Sequence, residues 1–358
     1  MRKFLYSLCF VIILGFLAKN YFYDDNKIFT RDGISMNTVI RISAYAKSNE
    51  PVDEAFELLE ILNKSFSLYD KNSDISEINF NAGIKPVLNK NSFIPEILNR
   101  AREIFDLTDG VFNPLIGPIT KLWKINQNDN TIPNLLSIDQ ALKLTDINNL
   151  VINSDSVFLK TNGAVLDLSG IAKGYASEKI AQMLEHEYKI KSALIDLGGN
   201  IFVKGLNPTT NSKWHIGIRD PLDKNNPPAL ILDITDTAII TSGNYERYKI
   251  IDGVKYSHFF NPVNGMPVKN DLLSVTVITP DATAADALAT AFMITGIETA
   301  KKLKSKLPEN LNVIFMRNSA AENQNPNVEI IASENLRNTI IKSNYPVKFF
   351  WANFKTWP

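Results

Sequence analysis

Only one cysteine, Cys9, occurs in 358 residues. The chain can therefore form no internal disulfide and no thiolate metal site. Histidine is nearly as scarce, with His186, His215 and His258 scattered and no HExxH spacing among them. That spacing argues against a zinc enzyme; any metal must be held by oxygen or by those histidines, and a hard cation such as Mg²⁺ fits better. Dense Lys/Arg blocks are missing too, and 38 basic residues balance 38 acidic ones. That balance speaks against a general nucleic-acid binder. Neither GxGxxG nor GK[ST] occurs, which removes the two commonest phosphate-cradling loops.

What the chain has starts with MRKFLYSLCFVIILGFLAKN. Arg2 and Lys3 precede an apolar run from Phe4 to Ala18, the pattern of an export signal or short anchor. Phe16 stands where a cleavable signal wants a small residue, so residues 1–22 read as an uncleaved membrane anchor, with cleavage as the alternative. Either form places the body outside the cytoplasm, on the periplasmic side of the inner membrane. From residue 28 to 345, 45% hydrophobic and 21% charged overall, the composition is that of one globular body.

Periodicity divides that body into short elements. Alternation predicts a strand over 36–45, and helical spacing predicts helices over 52–68 and 91–107. KINQNDNTIPNLLS, 124–137, reads as a loop. Strands are expected near 149–153, 156–160 and 164–168, then a helix to about Tyr188. Further strands follow at 192–197, 200–205, 214–219, 229–234 and 237–241, with a hairpin over 245–260 turning at Asp252-Gly253. A buried strand at 273–279 leads into a helix over 281–296 and a second over 297–306. Strands near 311–316 and 328–332 flank a polar loop. Clustered strands interrupted by single helices predict an α+β fold, a single mixed body of antiparallel sheets with packed helices.

Three stretches carry groups able to do chemistry. In DLSGIAKGYA, Gly170 and Gly174 each cost a helix about 1 kcal/mol relative to alanine. Such glycines bring the backbone close to a ligand, or serve packing. Asp167 is either a ligand contact or a helix N-cap, and Lys173 either neutralises phosphate or is solvated. In ADALAT, Asp286 and Thr290 are four residues apart on one helix face. They are two oxygen ligands for a cation, or a helix-dipole Asp and a Thr bonded to its own turn. In YSHFFNPVNGMPV, His258 is either structural or the group that takes a hydroxyl proton near neutrality.

In order along the chain, SMNT (35–38), SLYDKNSDISEIN (67–79), GVFNPLIGPITKLW (110–123), DLSGIAKGYA, DLGGN (196–200), TSGNYERY (241–248), HFFNPVNGMPV and SVTVITPDATAADALATA resemble the signature segments of the ApbE family, the FAD:protein FMN transferases. The resemblance spans about residues 30–306. It implies a T-fold-like α+β architecture and an enzyme outside the cytoplasm that takes FAD as substrate and Mg²⁺ as cofactor. Such an enzyme moves FMN onto a Thr or Ser hydroxyl in a Ser/Thr-Gly-Ala-Ser/Thr-like segment of a target, typically a membrane redox subunit, releasing AMP. It further implies metal ligands at Asp286, Thr290 and the Gly170 carbonyl, FAD contacts at Met36, Tyr69, Val111, Phe112, Asn113, Asp167, Lys173 and Phe260, and a general base at His258. Asn113 and Asn261 stand where the family usually has aspartate, and Asn37 where it has glycine. Alternatives from other classes are an Mg²⁺-dependent FAD pyrophosphatase and a non-catalytic flavin-binding protein. No acceptor-like segment occurs in the chain, which puts self-modification last.

Overall fold

The computed structural model describes residues 26–125, 131–319 and 327–350. Residues 1–22, expected as a membrane anchor, and most of the polar loop after residue 318 lie outside the described residues. Strand β1 (Lys27–Ser35) pairs antiparallel with β2 (Thr38–Ala46). Met36 and Asn37 have φ of 48° and 60° and form the two-residue turn between them. Positive φ at both positions is what the twist of a tight hairpin demands, and it corrects the expected strand over 36–45. Both residues belong to the turn.

Helix α1 (Glu50–Phe66) follows, with Pro51 in its first turn. Helix α2 (Asp74–Phe80) is capped by Ser73, whose hydroxyl accepts the Ser76 N–H at 2.9 Å. After β3 (Val87–Leu88) come helices α3 (Phe93–Leu107), α4 (Gly117–Trp123) and α5 (Leu135–Leu142). The last shortens the expected loop over 124–137, whose residues 126–130 lie outside the described residues. Strands β4 (Leu150–Ile152) and β5 (Ser156–Leu159) pair, with β3 on the other edge of β5. Residues 164–168 form no strand. They are buried and bonded by side chain and loop, Leu166 to the Asn79 amide and the Asp167 N–H to the Pro114 carbonyl.

Helix α6 (Ala172–His186) leads into β6 (Ala193–Leu197), β7 (Asn200–Lys204), β8 (Trp214–Ile218), β9 (Leu230–Ile234) and β10 (Thr237–Gly243). The hairpin β11 (Tyr248–Ile251) and β12 (Val254–Ser257) turns at Asp252-Gly253 as expected. Strand β13 (Leu272–Thr279) precedes α7 (Ala282–Leu303). Gly296, at φ 79° and ψ −175°, interrupts α7 where the two separate helices were expected to meet. Strands β14 (Asn312–Asn318), β15 (Val328–Ser333), β16 (Ile340–Ser343) and β17 (Val347–Phe350) close the chain.

Nine strands form one sheet in the order β1-β2-β6-β7-β10-β13-β14-β15-β17, antiparallel except at β15–β17. Helices α1, α6 and α7 bury their apolar stripes on one face of it, and α3 packs against α7 and α1 in the same core. The other face packs against the small sheet β16-β9-β8 through Ile216, Leu230, Leu232 and Ile330. A third apolar cluster gathers Ile119, Trp123, Ile138 and Phe260 around α4 and α5. The fold is therefore α+β with antiparallel-rich sheets and helices packed on them.

Where α6 crosses α7 there is no room for a side chain. A Cβ on Gly174 would lie 2.2 Å from the Ala282 carbonyl oxygen and 2.7 Å from the Asp286 Cβ. Gly174 is thus a packing glycine, the reading that displaces its proposed role of giving a ligand room. Replacing it by Ala must push the helices apart, and over-packing of this kind costs about 3 kcal/mol. A Gly174→Ala variant is expected to unfold at markedly lower denaturant; an unchanged midpoint would contradict the close crossing.

Candidate active site

The N-terminus of α6 has no side-chain cap of its own, because the residue at that position is Ile171. Its exposed N–H groups need acceptors. Asp286 on α7 supplies one, its Oδ2 accepting the Gly174 N–H at 2.9 Å. The carboxylate is 4% exposed. Burial raises its pKa above the ordinary carboxylate value, while the Lys173 ammonium, the Gly174 N–H and the Asn200 amide pull it back. Asp167, read from the sequence as a ligand contact or a helix N-cap, caps no helix: its carboxylate accepts the Ser169 N–H at 3.0 Å and shapes the turn that carries Gly170.

Thr290 lies one turn beyond Asp286 on the same face. A helical Thr commonly bonds the carbonyl four residues back, as Thr295 does to Ala291 at 2.9 Å. The Thr290 hydroxyl makes no such bond among the described residues. It sits instead beside Gly170, where a Cβ would lie 3.1 Å from Oγ1 and 3.3 Å from the Phe112 ring. Gly170, Thr290 and Phe112 thus converge, with Asp286 on the neighbouring turn of α7. Among the described residues no group of three or more His, Cys, Asp or Glu side chains stands together. The donors on offer, one carboxylate, one free hydroxyl and a loop carbonyl, are all hard oxygens and fit a hard divalent cation.

Lys173, in the first turn of α6, reaches the Asn200 Oδ1 at 3.5 Å. Asn200 is 1% exposed, and its Nδ2 has no partner at ordinary hydrogen-bond length. It nevertheless lies close enough to help lower the Asp286 pKa. A buried amide donor left open is costly and marks a place for an acceptor. Asp196, at the end of β6, accepts the Gly199 N–H at 2.7 Å and is raised by burial against the pull of Lys173 and Arg41. Neither Asn200 nor Asp196 was among the expected site residues; the DLGGN signature was the signal that carried them.

His258 follows β12. Its Nδ1 stands 2.8 Å from the Arg247 carbonyl oxygen, so Nδ1 carries the proton and donates, leaving the Nε2 lone pair open. Burial lowers its pKa to about 4, with the Arg247 and Lys173 charges adding to the effect and Asp167 opposing it. The imidazole is therefore neutral near pH 7.

The remaining expected contacts are spread around this centre. Met36 is half-buried at the β1–β2 tip and packs on the core. Thr38, beside that tip, packs so closely on Gly198 that a Cβ there would meet its Oγ1 at 2.0 Å. Tyr69 is 58% exposed in the loop between α1 and α2. Val111 packs on the core, and the buried Phe112 N–H is bonded by Thr108 Oγ1 at 3.1 Å. Asn113 donates to the Thr145 carbonyl at 2.9 Å and accepts the Leu115 N–H at 2.8 Å. An ionised aspartate supplies only the second bond, so the amide is a tie between loops. Asn261 likewise holds its own turn by accepting the Val263 N–H at 2.9 Å. The Phe260 ring belongs to the cluster with Trp123, 6.2 Å between centroids.

An Asp286→Asn variant keeps an acceptor for the Gly174 N–H and loses the charge. Because the folded pKa is raised, the wild-type carboxyl costs stability as pH climbs from the ordinary carboxylate value through the raised one. Metal-free Asp286→Asn is expected to be at least as stable as wild type at pH 7. Adding Mg²⁺ should stabilise wild type and leave the variant unmoved, read by thermal melts. Equal Mg²⁺ stabilisation of both would contradict the assignment.

Comparison with known proteins shows what the chain is similar to. The ApbE family model matches residues 36–315. The FAD:protein FMN transferase of Treponema pallidum (strain Nichols) is 33% identical over 299 residues, which is 78% of this chain and 82% of that protein. The enzyme of the same name from Escherichia coli (strain K12) is 32% identical over 282 residues, 76% of this chain and 80% of its own. The solved structure of the flavin transferase ApbE from Vibrio cholerae superposes with a TM-score of 0.76 at 26% identity, covering 88% of this chain and 99% of that one.

Proposed function

The chain belongs to the ApbE family, and from that premise we propose that it is a flavin transferase moving FMN from FAD to a Ser or Thr hydroxyl of a target protein. The family match over 36–315 carries this reading, together with two relatives named FAD:protein FMN transferase that are more than 30% identical. In the proposed reaction the acceptor oxygen forms a bond to the FMN phosphorus. The bridging P–O bond of the diphosphate breaks, and AMP leaves.

Each residue then has a task. The open Nε2 of His258 takes the proton of the attacking hydroxyl. Lys173 faces the diphosphate as a fixed positive charge, and the open Asn200 amide offers a donor beside it. Asp286, Thr290 and the Gly170 carbonyl hold Mg²⁺. When bound, that ion neutralises charge on the phosphoryl oxygens. Asp167 and Phe112 border the same space, and Met36, Tyr69 and Val111 frame the rest of the dinucleotide. Asn113 and Phe260 contribute through their backbone, since their side chains are committed to the fold. Export, residues 1–22 as the membrane attachment, and a membrane redox subunit as target complete the proposal. Hydrolysis of FAD to FMN and AMP differs only in using water as acceptor. The names of the relatives favour transfer.

Two measurements test this. Incubation with FAD, Mg²⁺ and a protein carrying a Ser/Thr-Gly-Ala-Thr segment should add the mass of one FMN to the target and make it fluorescent in a gel. FMN and AMP released without labelling would instead establish the hydrolase. The second concerns His258. A base already neutral in the free enzyme loses function only as pH falls through about 4, so kcat/KM should show no limb near 6.5. His258→Ala should lower kcat by about 100-fold or more. An acid limb near 6.5, or full activity without the imidazole, would remove His258 from the chemistry.

A further inference from the structure

The bond from Gly174 to Asp286 has a counterpart that runs the other way. Glu178, one turn further along α6, accepts the Thr283 backbone N–H at 3.1 Å and the Thr283 hydroxyl at 2.8 Å, both at Oε2. Its other oxygen accepts the Gln182 amide at 3.3 Å. Thr283 stands in the first turn of α7 and is 1% exposed. Its N–H is one of the donors that a helix start leaves open, and Asp281, the cap of α7, meets another by accepting the Ala284 N–H at 2.8 Å. Each helix thus sets a carboxylate against the first turn of the other, Asp286 on α6 and Glu178 on α7.

The two bonds lie on one face of each helix. Thr283, Asp286 and Thr290 are spaced three and four apart along α7, while Glu178, Gly174 and Gly170 follow at intervals of four in the reverse direction. Thr283 with Glu178, Asp286 with Gly174 and Thr290 with Gly170 are therefore successive rungs, and the last is the proposed cation site. A single rung is a pivot. Held by Gly174 alone, α7 is free to rock about Asp286, which lies about 4.5 Å along the axis from Thr283 and about 6 Å from Thr290. A drift at Thr283 then carries Thr290 at least as far the opposite way. The Glu178 rung removes that freedom. Helix α3 bolts the same corner from outside: Glu96 accepts the Tyr175 hydroxyl at 2.9 Å and pairs with Lys179 at 2.5 Å, and Arg100 pairs with Asp281 at 2.5 Å.

We propose that Glu178 is a positioning residue for the cation site. It touches neither cation nor flavin, and acts through Thr283 to fix the setting of α7 that holds the Asp286 carboxylate and the Thr290 hydroxyl at the Gly170 turn. The inference rests on the cation assignment made above. Mg²⁺ demands near-ideal octahedral geometry, whereas Ca²⁺ accepts a looser and more variable set of oxygens. A rung that sets geometry therefore matters more for Mg²⁺ than for Ca²⁺. One that only stabilises the fold weakens both alike.

The test titrates Mg²⁺ and, separately, Ca²⁺ into the metal-free full chain by calorimetry. Glu178→Ala should weaken Mg²⁺ binding about tenfold or more and Ca²⁺ binding by no more than about threefold. Glu178→Gln keeps an acceptor for Thr283 and should bind Mg²⁺ within about twofold of wild type. Thr283→Val keeps the N–H and the branched shape but loses the hydroxyl, and should fall between the two; it decides the matter if Glu178→Ala fails to fold. Asp286→Asn, which removes a proposed ligand, is the reference. If Asp286→Asn binds Mg²⁺ as wild type does, the cation assignment fails and this inference with it. If it loses Mg²⁺ while Glu178→Ala and Thr283→Val bind as wild type, the positioning role alone is overturned. Equal weakening of both cations, or a Gln variant as impaired as the Ala variant, would overturn it as well.

Discussion

The contact on which the site depends is the hydrogen bond from the Gly174 N–H, at the start of α6, to the Asp286 carboxylate on α7. It requires the two helices to touch backbone to backbone, which only glycine at 174 permits. It gives α6 the cap its own sequence withholds. It also aims the positive end of a 15-residue helix at the spot where a carboxylate is buried. Every other element of the site takes its place from that crossing. Gly170 lies in the turn just before α6, Lys173 in its first turn, and Thr290 one turn along α7.

This arrangement trades stability for chemistry. A carboxylate that is almost wholly buried resists ionisation, and here only Lys173, the helix N-terminus and an incompletely bonded Asn200 oppose the penalty. The Thr290 hydroxyl, half-buried beside Gly170, makes no bond to its own turn among the described residues. A cation beside Asp286 and Thr290 and a diphosphate beside Lys173 and the open Asn200 amide would answer these deficits together, as the proposed function requires. His258 is prepared in the opposite way. Its outer nitrogen is fixed by a backbone carbonyl and its charge is suppressed by burial, so the inner nitrogen is a ready acceptor.

Much of this was legible in the chain. The alternating and helical patterns gave α1, α3, α6, β6 to β10 and the β11–β12 hairpin, because each is long enough to carry the periodicity of its element. The elements that escaped are short or lie at edges. Helices α2 and α4 are only seven residues long, too few for a period to show. Strands β16 and β17 have exposed or half-covered patterns, and β1 is exposed along most of its length. AVLDL at 164–168 reads as a strand because it is apolar and buried, yet its backbone groups are met by Asn79 and Pro114 in place of a ladder. In the site, Asp286 and Thr290 stand out by spacing, but that Gly170 lies beside Thr290 shows only in the fold, because 120 residues separate them in the chain. Asn200 lay within the DLGGN signature but escaped the expected site, because an amide beside two glycines does not stand out as a site residue until its burial and missing partner are known.

The central claim is that the α6–α7 crossing is built around a cation. Crystals of the protein with FAD and Mn²⁺ in place of Mg²⁺, measured at a wavelength where manganese scatters anomalously, test it most directly. The account predicts an anomalous peak bounded by the Asp286 carboxylate, the Thr290 hydroxyl and the Gly170 carbonyl, with the flavin diphosphate on the side of Lys173. An ordered diphosphate with no peak at those oxygens, or a peak elsewhere in the molecule, would contradict it.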